Sequence, residues 1–309
     1  MLTDFLMKAL GRSVKFIKSD FNGLIALDKP AGCLSHPNPG KSGSSSLADS
    51  AKCLLQGSYN HKDESYTIPS INGPVTVWLL HRLDSATSGI VLAALNREVA
   101  DSVKSQFKLR LIAKQYTAVV FDTSNSTSKN QSAFTWKDDL SIDRAGGVVR
   151  AQVARGMERR ASSRAVTEVK VNEDKSSSRW RRLTKMTNIK LLNLQPLTGY
   201  SHQLRCQAAA HNYPIVGDRN YGDFQQNKQL RSSQQEAPSK APDMKRLFLH
   251  ARDIRLTYEL NGCSHEFHAV SPVPDIFFAR TGPPPTPPTT KTTETTETTN
   301  TTIHKPIHK

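Results

Sequence analysis

Apolar residues in this chain come mostly in short bursts bounded by glycine, proline and polar residues, the pattern of strands rather than of long helices. Val14–Ser19 and Leu24–Leu27 flank Asp20-Phe21-Asn22-Gly23, whose Asn-Gly pair predicts a tight hairpin. Val75–Leu80 and Ile90–Leu95 read as buried strands on either side of the charged turn His81-Arg82-Leu83-Asp84-Ser85-Ala86-Thr87-Ser88-Gly89. Val99, Val103 and Phe107 recur every fourth residue, so residues 97–109 form an amphipathic helix with Asn96 as its N-cap. Strands follow at Ile112–Phe121, Ala165–Val171 and Thr187–Leu194, with 172–178 as a hairpin loop between the last two. Ser201 caps a helix running to His211, packed through Leu204, Ala208 and Ala209. A second Asn-Gly, at 261–262, joins Arg246–Leu260 to Cys263–Val270, and 274–279 closes the globule.

The intervening stretches carry weaker signals. Apolar positions 47, 48, 51, 54 and 55 predict one more helix. Residues 57–74 read as an exposed polar excursion, 124–132 as a loop, 136–147 as irregular chain and 224–243 as a mobile Gln/Ser-rich insertion. From 281 onward Thr and Pro dominate, which cannot build a core and predicts disorder. Strands outnumber helices and several neighbours are hairpins, so the fold class is α+β, with a mixed, mainly antiparallel central sheet and flanking helices and loops. The expected organisation is an N-terminal extension at 1–13, one domain over 14–280 with polar insertions at about 57–74, 124–160 and 225–243, and a tail at 281–309.

Charge narrows the partner. The 309 residues hold 42 Lys and Arg against 27 Asp and Glu, a formal net charge of +15. That excess points to a polyanion, most simply nucleic acid. It is concentrated over 150–190, where twelve basic residues face four acidic ones. No apolar run is long enough for a membrane helix, so no membrane partner is expected. The four cysteines form no Cys-x-x-Cys pair, which fits a reducing compartment and argues against a zinc or disulfide frame. Leu83 follows His81-Arg82 where a kinase loop needs Asp, and the chain lacks the His-x-Glu of zinc deaminases.

Four stretches pair turn chemistry with charge: Asp28–Gly32, His81–Gly89, Lys114–Tyr116 and Thr198–Arg205. An Asp held in a turn between two core strands stands where a catalytic group belongs. Each also has a bland reading. Asp84 could bond its own turn, Lys29 could be solvated, Tyr116 could be a sheet aromatic, and His202 with Arg205 could be a surface pair.

Taken together, and in order, the stretches resemble the RluA-type pseudouridine synthases, which isomerise uridine to pseudouridine in RNA. The resemblance rests on Asp28-Lys29-Pro30-Ala31-Gly32 with His36-Pro37, the nine residues around Asp84, Lys114-Gln115-Tyr116, Leu197–Arg205, Pro214–Asp218 with Tyr221-Gly222, and Leu249-His250-Ala251. It spans roughly 14–279. It implies Asp84 as nucleophile, attacking C1′ of the ribose or C6 of the uracil, and Arg205 as its ion-pair partner. It implies Tyr116 stacked on the uracil and helping to remove the C5 proton, and Arg82 filling the place of the flipped nucleotide. Lys114, His202, Lys29 and Tyr200 are implied as substrate contacts. Tyr200 departs from the family, which usually has Arg there; a tyrosine offers a stacking face instead. No metal or organic cofactor is implied. The expected partner is tRNA or rRNA and the expected state a monomer, in the cytoplasm, or in a mitochondrion or plastid if the source is eukaryotic. A catalytically inactive basic RNA-binding protein on the same fold is the competing reading; it explains the charge but not Asp84, Tyr116 and Arg205 together.

Overall fold

The computed structural model describes residues 2–38, 52–124, 132–145, 148–154, 162–172, 176–235 and 246–279. The bursts become strands: β1 (Lys15–Ser19), β2 (Leu24–Lys29), β3 (Ser58–Asn60), β4 (Ser65–Ile68), β5 (Val75–Leu79), β6 (Ser88–Ala94), β7 (Ala113–Phe121), β8 (Ala133–Ala145), β9 (Val148–Val153), β10 (Ser163–Asn172), β11 (Ile189–Pro196), β12 (Leu249–Leu260) and β13 (Cys263–Val270). The helices are α1 (Leu2–Ala9), α2 (Arg97–Lys108), α3 (Ser176–Thr184), α4 (Gln203–Ala210) and α5 (Phe224–Gln235). All the strands join one sheet in the order β3-β4-β5-β6-β12-β7-β11-β10-β8-β9, with β2 also on β6, β1 on β2 and β13 on β12. Among the described strands only β6 and β12 pair in parallel, so the sheet is mixed and mainly antiparallel, as the pattern predicts.

Side-chain alternation explains the central position of β6. Val91 and Ala93 face one core with Ile25, Leu27 and Leu6; Ile90, Leu92 and Ala94 face the other with Leu24, Ala26 and Val99. A strand buried on both faces reads as a continuous apolar run, which is how Ile90–Leu95 appears in the sequence. Helix α2 covers the second of these cores, and Asn96 caps it, its side chain accepting from the N–H groups of Glu98 and Val99. Both Asn-Gly hairpins are present: β1 pairs β2, and β12 pairs β13.

Several expectations are corrected. The N-terminal extension is largely a helix, α1, whose Leu6 and Ala9 are buried against β2 and β6. The excursion at 57–74 contains β3 and β4, with Tyr66 and Ile68 buried. The described part of 136–147, residues 136–145, is not irregular: it belongs to β8, which pairs with β9 to extend the sheet, and Trp136 packs into its core. Of the loop expected at 172–178, residues 176–178 instead open α3, which buries Trp180. The insertion at 224–243 begins as α5, anchored by Leu230. In each case one or two large apolar residues inside a polar stretch are enough to fasten it. The expected helix at 47–55 lies outside the described residues except at its end, where Cys53 and Leu55 form isolated bridges with Leu34 and Leu10 instead of helical turns. The tail lies outside the described residues.

Gly89 explains why the Asp84 motif ends in glycine. Its φ is +113°, and a Cβ there would stand 2.1 Å from the Ala251 carbonyl oxygen, because β6 and β12 approach closely at Gly89↔Ala251. Gly89→Ala is expected to cost about 3 kcal/mol, from backbone strain and the clash together. Urea unfolding measures this; an unchanged midpoint would show that β12 can yield.

Candidate active site

The loop between β5 and β6 carries Asp84, and three neighbours fasten it. Ser35 Oγ donates to the Leu83 carbonyl at 3.0 Å and accepts from the Leu83 N–H at 3.1 Å. The Gly32 N–H donates to the Ser85 carbonyl at 2.7 Å. Lys29 Nζ donates to the carbonyls of Cys33 (2.7 Å), Ser85 (3.1 Å) and Pro30 (3.2 Å). Lys29, Gly32 and Ser35, in and just after the Asp28–Gly32 stretch, are therefore the brace behind the Asp84 loop.

This corrects Lys29 as a substrate contact. Its side chain is fully buried, and its three N–H bonds are spent on backbone carbonyls. Burial pushes its ammonium down to about 8, partly offset by Cys33 and Asp84.

The other predicted residues converge. Asp84, Tyr116, Arg205, Arg82, Lys114, His202 and Tyr200 all line one cavity of about 410 Å³, a size suited to a nucleotide-sized ligand. Strand period two puts Lys114 and Tyr116 on the same face of β7. Arg205 lies three residues after His202, one helical turn along α4. His202 itself starts that helix with a left-handed backbone (φ 55°) and no side-chain cap, so Ser201 is not the N-cap. Gln203 holds the preceding turn instead. Its Oε1 accepts from Thr198 Oγ1 at 2.8 Å and from the Tyr200 N–H at 3.1 Å, while its Nε2 reaches Thr167 on β10.

Arg205 is the electrostatic centre. Its Nη1 donates to Asp84 Oδ2 at 2.9 Å, and its Nε and Nη2 grip both oxygens of Asp218 at 2.8 Å each. Asp218 also accepts from the backbone N–H groups of Asn220 and Tyr221. Burial alone would raise the Asp218 carboxyl, but Arg205 and those N–H groups outweigh it and hold it below 3.8. The Tyr221 ring lies 5.1 Å from the Arg205 guanidinium. Its hydroxyl accepts from the Ala151 N–H and can donate to His202 Nδ1 at 2.9 Å. That assignment leaves the proton of a neutral His202 on Nε2, which faces Asp84 Oδ1 at 3.6 Å. Burial, reinforced by Arg205, pushes the His202 imidazole down, in keeping with the neutral form. Asp218 and Tyr221 lie in stretches that carried the resemblance, yet neither is among the predicted site residues; nothing in the sequence says which buried cation Asp218 meets.

Burial and the charge of Asp84 both raise the Tyr116 hydroxyl above its ordinary value, so it stays a phenol. At the rim, Arg82 Nη1 donates to His36 Nε2 at 3.2 Å while His36 Nδ1 faces the Pro37 carbonyl at 2.8 Å, an arrangement that requires neutral His36. His36 in turn stacks on Tyr59 at 5.0 Å. Arg110, not anticipated as a site residue, lines the same cavity and donates to the Tyr200 hydroxyl at 2.7 Å. Among the described residues no group of three or more His, Cys, Asp or Glu could hold a metal ion, and no helix is long and apolar enough to cross a membrane.

Two other histidines are expected to make the fold acid-sensitive. His81 Nε2 accepts from the Leu92 N–H at 3.0 Å, and burial with Lys114 nearby pushes it down to about 3. His250, bonded to Ser88 Oγ at 2.9 Å, is pushed down to about 4 by burial. Both resist protonation in the fold but accept protons near pH 6.5 when unfolded, so stability is full above pH 6.5 and is lost as pH falls toward 4. Between pH 7.5 and 5.5 the pair is expected to cost about 3 kcal/mol, read from urea unfolding at the two pH values. A flat stability over that range would mean that these rings are solvated.

Sequence and fold together match one class. The sequence model for RNA pseudouridylate synthase covers residues 23–210, and the chain belongs to that family, in its RluA-type branch. Its activity is that of an RNA pseudouridine synthase, an isomerase. Among its relatives is tRNA pseudouridine synthase C of Haemophilus ducreyi, 29% identical over 242 residues covering 76% of this chain and 82% of the relative. Another is ribosomal large subunit pseudouridine synthase C of Haemophilus influenzae, 29% identical over 191 residues covering 62% of this chain and 50% of the relative. Two human structures, RNA pseudouridylate synthase domain containing 1 and 4, superpose with TM-scores of 0.53 and 0.52 at 20% and 22% identity. They cover 84% and 92% of this chain and 83% and 97% of their own, a likeness of fold.

Proposed function

We propose that the chain converts uridine to pseudouridine in tRNA or rRNA with Asp84 as the nucleophile. One observation carries this reading. The Asp84 carboxylate, held by Arg205 at 2.9 Å, lines a cavity shared with three cations, Arg82, Arg110 and Lys114, that meet no carboxylate among the described residues. Those cations suit a phosphodiester chain, and the carboxylate suits a reaction that needs a nucleophile able to leave again. Relatives named for tRNA and for ribosomal substrates both align with this chain, which supports those two RNA classes.

The uridine must first leave its stack, and Arg82 stands at the cavity where it can fill the gap. Asp84 then attacks C1′ of the ribose or C6 of the uracil. The glycosidic bond breaks, the base turns, and C5 bonds to C1′ as the bond to Asp84 breaks; the C5 proton passes to water and N1 takes up a proton. Tyr116, protonated in the resting site, supplies a ring face and a hydrogen-bond donor to the uracil rather than a ready base. Lys29 serves by fixing the carbonyl of Ser85, next to Asp84.

Rejoining through C5 expels the hydrogen there, so tritium release tests the reading. Total tRNA and rRNA carrying 5-tritiated uridine, prepared from cells lacking the protein, are expected to release tritium to water when the wild-type protein is added. Tight binding of both RNAs without release would overturn the reading and leave an inactive RNA-binding protein.

A further inference from the structure

Helix α2 ends in a way that favours glycine. Leu109 is its C-cap, and the next residue, Arg110, has φ +61°. The Arg110 N–H donates to the Phe107 carbonyl at 3.2 Å, and the Leu111 N–H to the Gln106 carbonyl at 3.1 Å. This pair of bonds is the Schellman motif, whose left-handed position is usually glycine because any Cβ is strained there. Here the position holds an exposed arginine between two exposed leucines, Leu109 and Leu111. A residue that breaks a local rule in a cleft is a candidate for function.

The side chain supplies the second observation. Arg110 does not fold back to cap the last carbonyls of its helix, a task its charge would suit. It reaches across to the turn before α4, where its Nη2 meets the Tyr200 hydroxyl at 2.7 Å and its guanidinium lies 5.5 Å from the Tyr200 ring centre. A phenol hydroxyl and a ring face fix a guanidinium without cancelling its charge. Lys114 lines the same side of the cavity, and its Nζ lies 3.4 Å from where a Cβ on Gly199 would stand. Burial and the charge of Arg110 both push the Lys114 ammonium down, the mark of two like charges sharing a site with no anion between them.

We propose that Arg110, braced by Tyr200 and assisted by Lys114, forms a phosphodiester subsite at the cavity mouth that grips the RNA backbone beside the flipped uridine. This rests on the reading of the chain as an RNA uridine isomerase and adds a contact that positions the strand. The remaining N–H donors of the guanidinium suit a two-point contact with phosphate oxygens. Strain at residue 110 is then the cost of carrying a charge where glycine would fold more easily.

The geometry offers a variant that separates folding from binding, because Arg110→Gly relieves strain while it removes the guanidinium. Three readouts are compared with wild type: melting temperature, the salt dependence of binding to a uridine-containing RNA stem-loop, and steady-state tritium release. Arg110→Gly is expected to keep or raise the melting temperature, raise KM about tenfold with kcat changed less than about twofold, and lower the slope of log Kd against log salt by about one. Arg110→Lys should recover the slope but only part of the affinity, since an ammonium lacks the planar fork. Tyr200→Phe should lose part of the affinity and keep the slope. An unchanged slope in Arg110→Gly would overturn the proposal, and so would a lowered melting temperature, which would make the arginine structural. If wild type releases no tritium but Arg110→Gly still lowers the slope, the isomerase reading fails and the phosphate contact stands.

Discussion

Asp84→Asn is expected to abolish tritium release, by roughly 10⁴-fold or more, while RNA binding and folding stay close to wild type. The asymmetry follows from charge. Arg205 is already paired on two of its nitrogens with Asp218, at 2.8 Å each, so taking one charge from Asp84 leaves a neutral Arg205–Asp218 pair rather than a buried unbalanced cation. An amide oxygen can still accept from Arg205 Nη1, so the side chain keeps its place. Asp84 is also partly open to solvent, its side chain 28% exposed, so little desolvated charge is at stake in folding. The expected change in stability is within about 1 kcal/mol. What disappears, on the proposed reading, is the nucleophile. Asp84→Ala provides a control that cannot revert by deamidation. Turnover near the wild-type rate in either folded variant would remove Asp84 from the chemistry.

The parts of the fold that were legible are those where pattern and chain geometry leave one solution. Ile90–Leu95 is apolar on both strand faces because β6 is covered on both, and each Asn-Gly pair sits where a tight hairpin needs it. Stretches fastened by one or two residues were not legible. Trp136, Trp180 and Leu230 each turn a polar segment into a strand or helix by filling a pocket that other parts of the chain create. Nothing local distinguishes such a residue from an exposed one, since its burial depends on partners from other elements, such as Phe248 and Phe277 around Trp180.

The site divides along the same line. Asp84, Tyr116 and Arg205 stood out because the ordered stretches that hold them resemble the RluA-type family, each having a bland reading by itself, and the structure brings them to one cavity. The role of Lys29 was misread because a lysine after a strand looks the same from the sequence whether it meets solvent or the carbonyls of Pro30, Cys33 and Ser85. Asp218 was passed over because its function is relational: it matters through the guanidinium that it grips. Arg110 was passed over because a left-handed backbone is invisible until the helix end is seen.

Arg205 pairs both the buried Asp218 and the proposed nucleophile Asp84, so its replacement should show a loss of stability and a loss of turnover. In Arg205→Met, Asp218 is left 2% exposed with no cation, keeping only the N–H groups of Asn220 and Tyr221. Breaking a buried pair in this way costs about 3–5 kcal/mol, because the surviving charge stays desolvated. Arg205→Lys should fold better yet remain impaired, since one ammonium cannot grip two oxygens of Asp218 and still reach Asp84. The double variant Arg205→Met with Asp218→Asn removes the stranded charge and is expected to recover most of the lost stability. It should recover no activity, because Asp84 has lost the donor that aims it and a misplacement of about 1 Å already costs about 10²-fold. Urea unfolding and tritium release on the three variants separate the two roles. Recovery of turnover along with stability in the double variant would show that Arg205 acts on the fold alone.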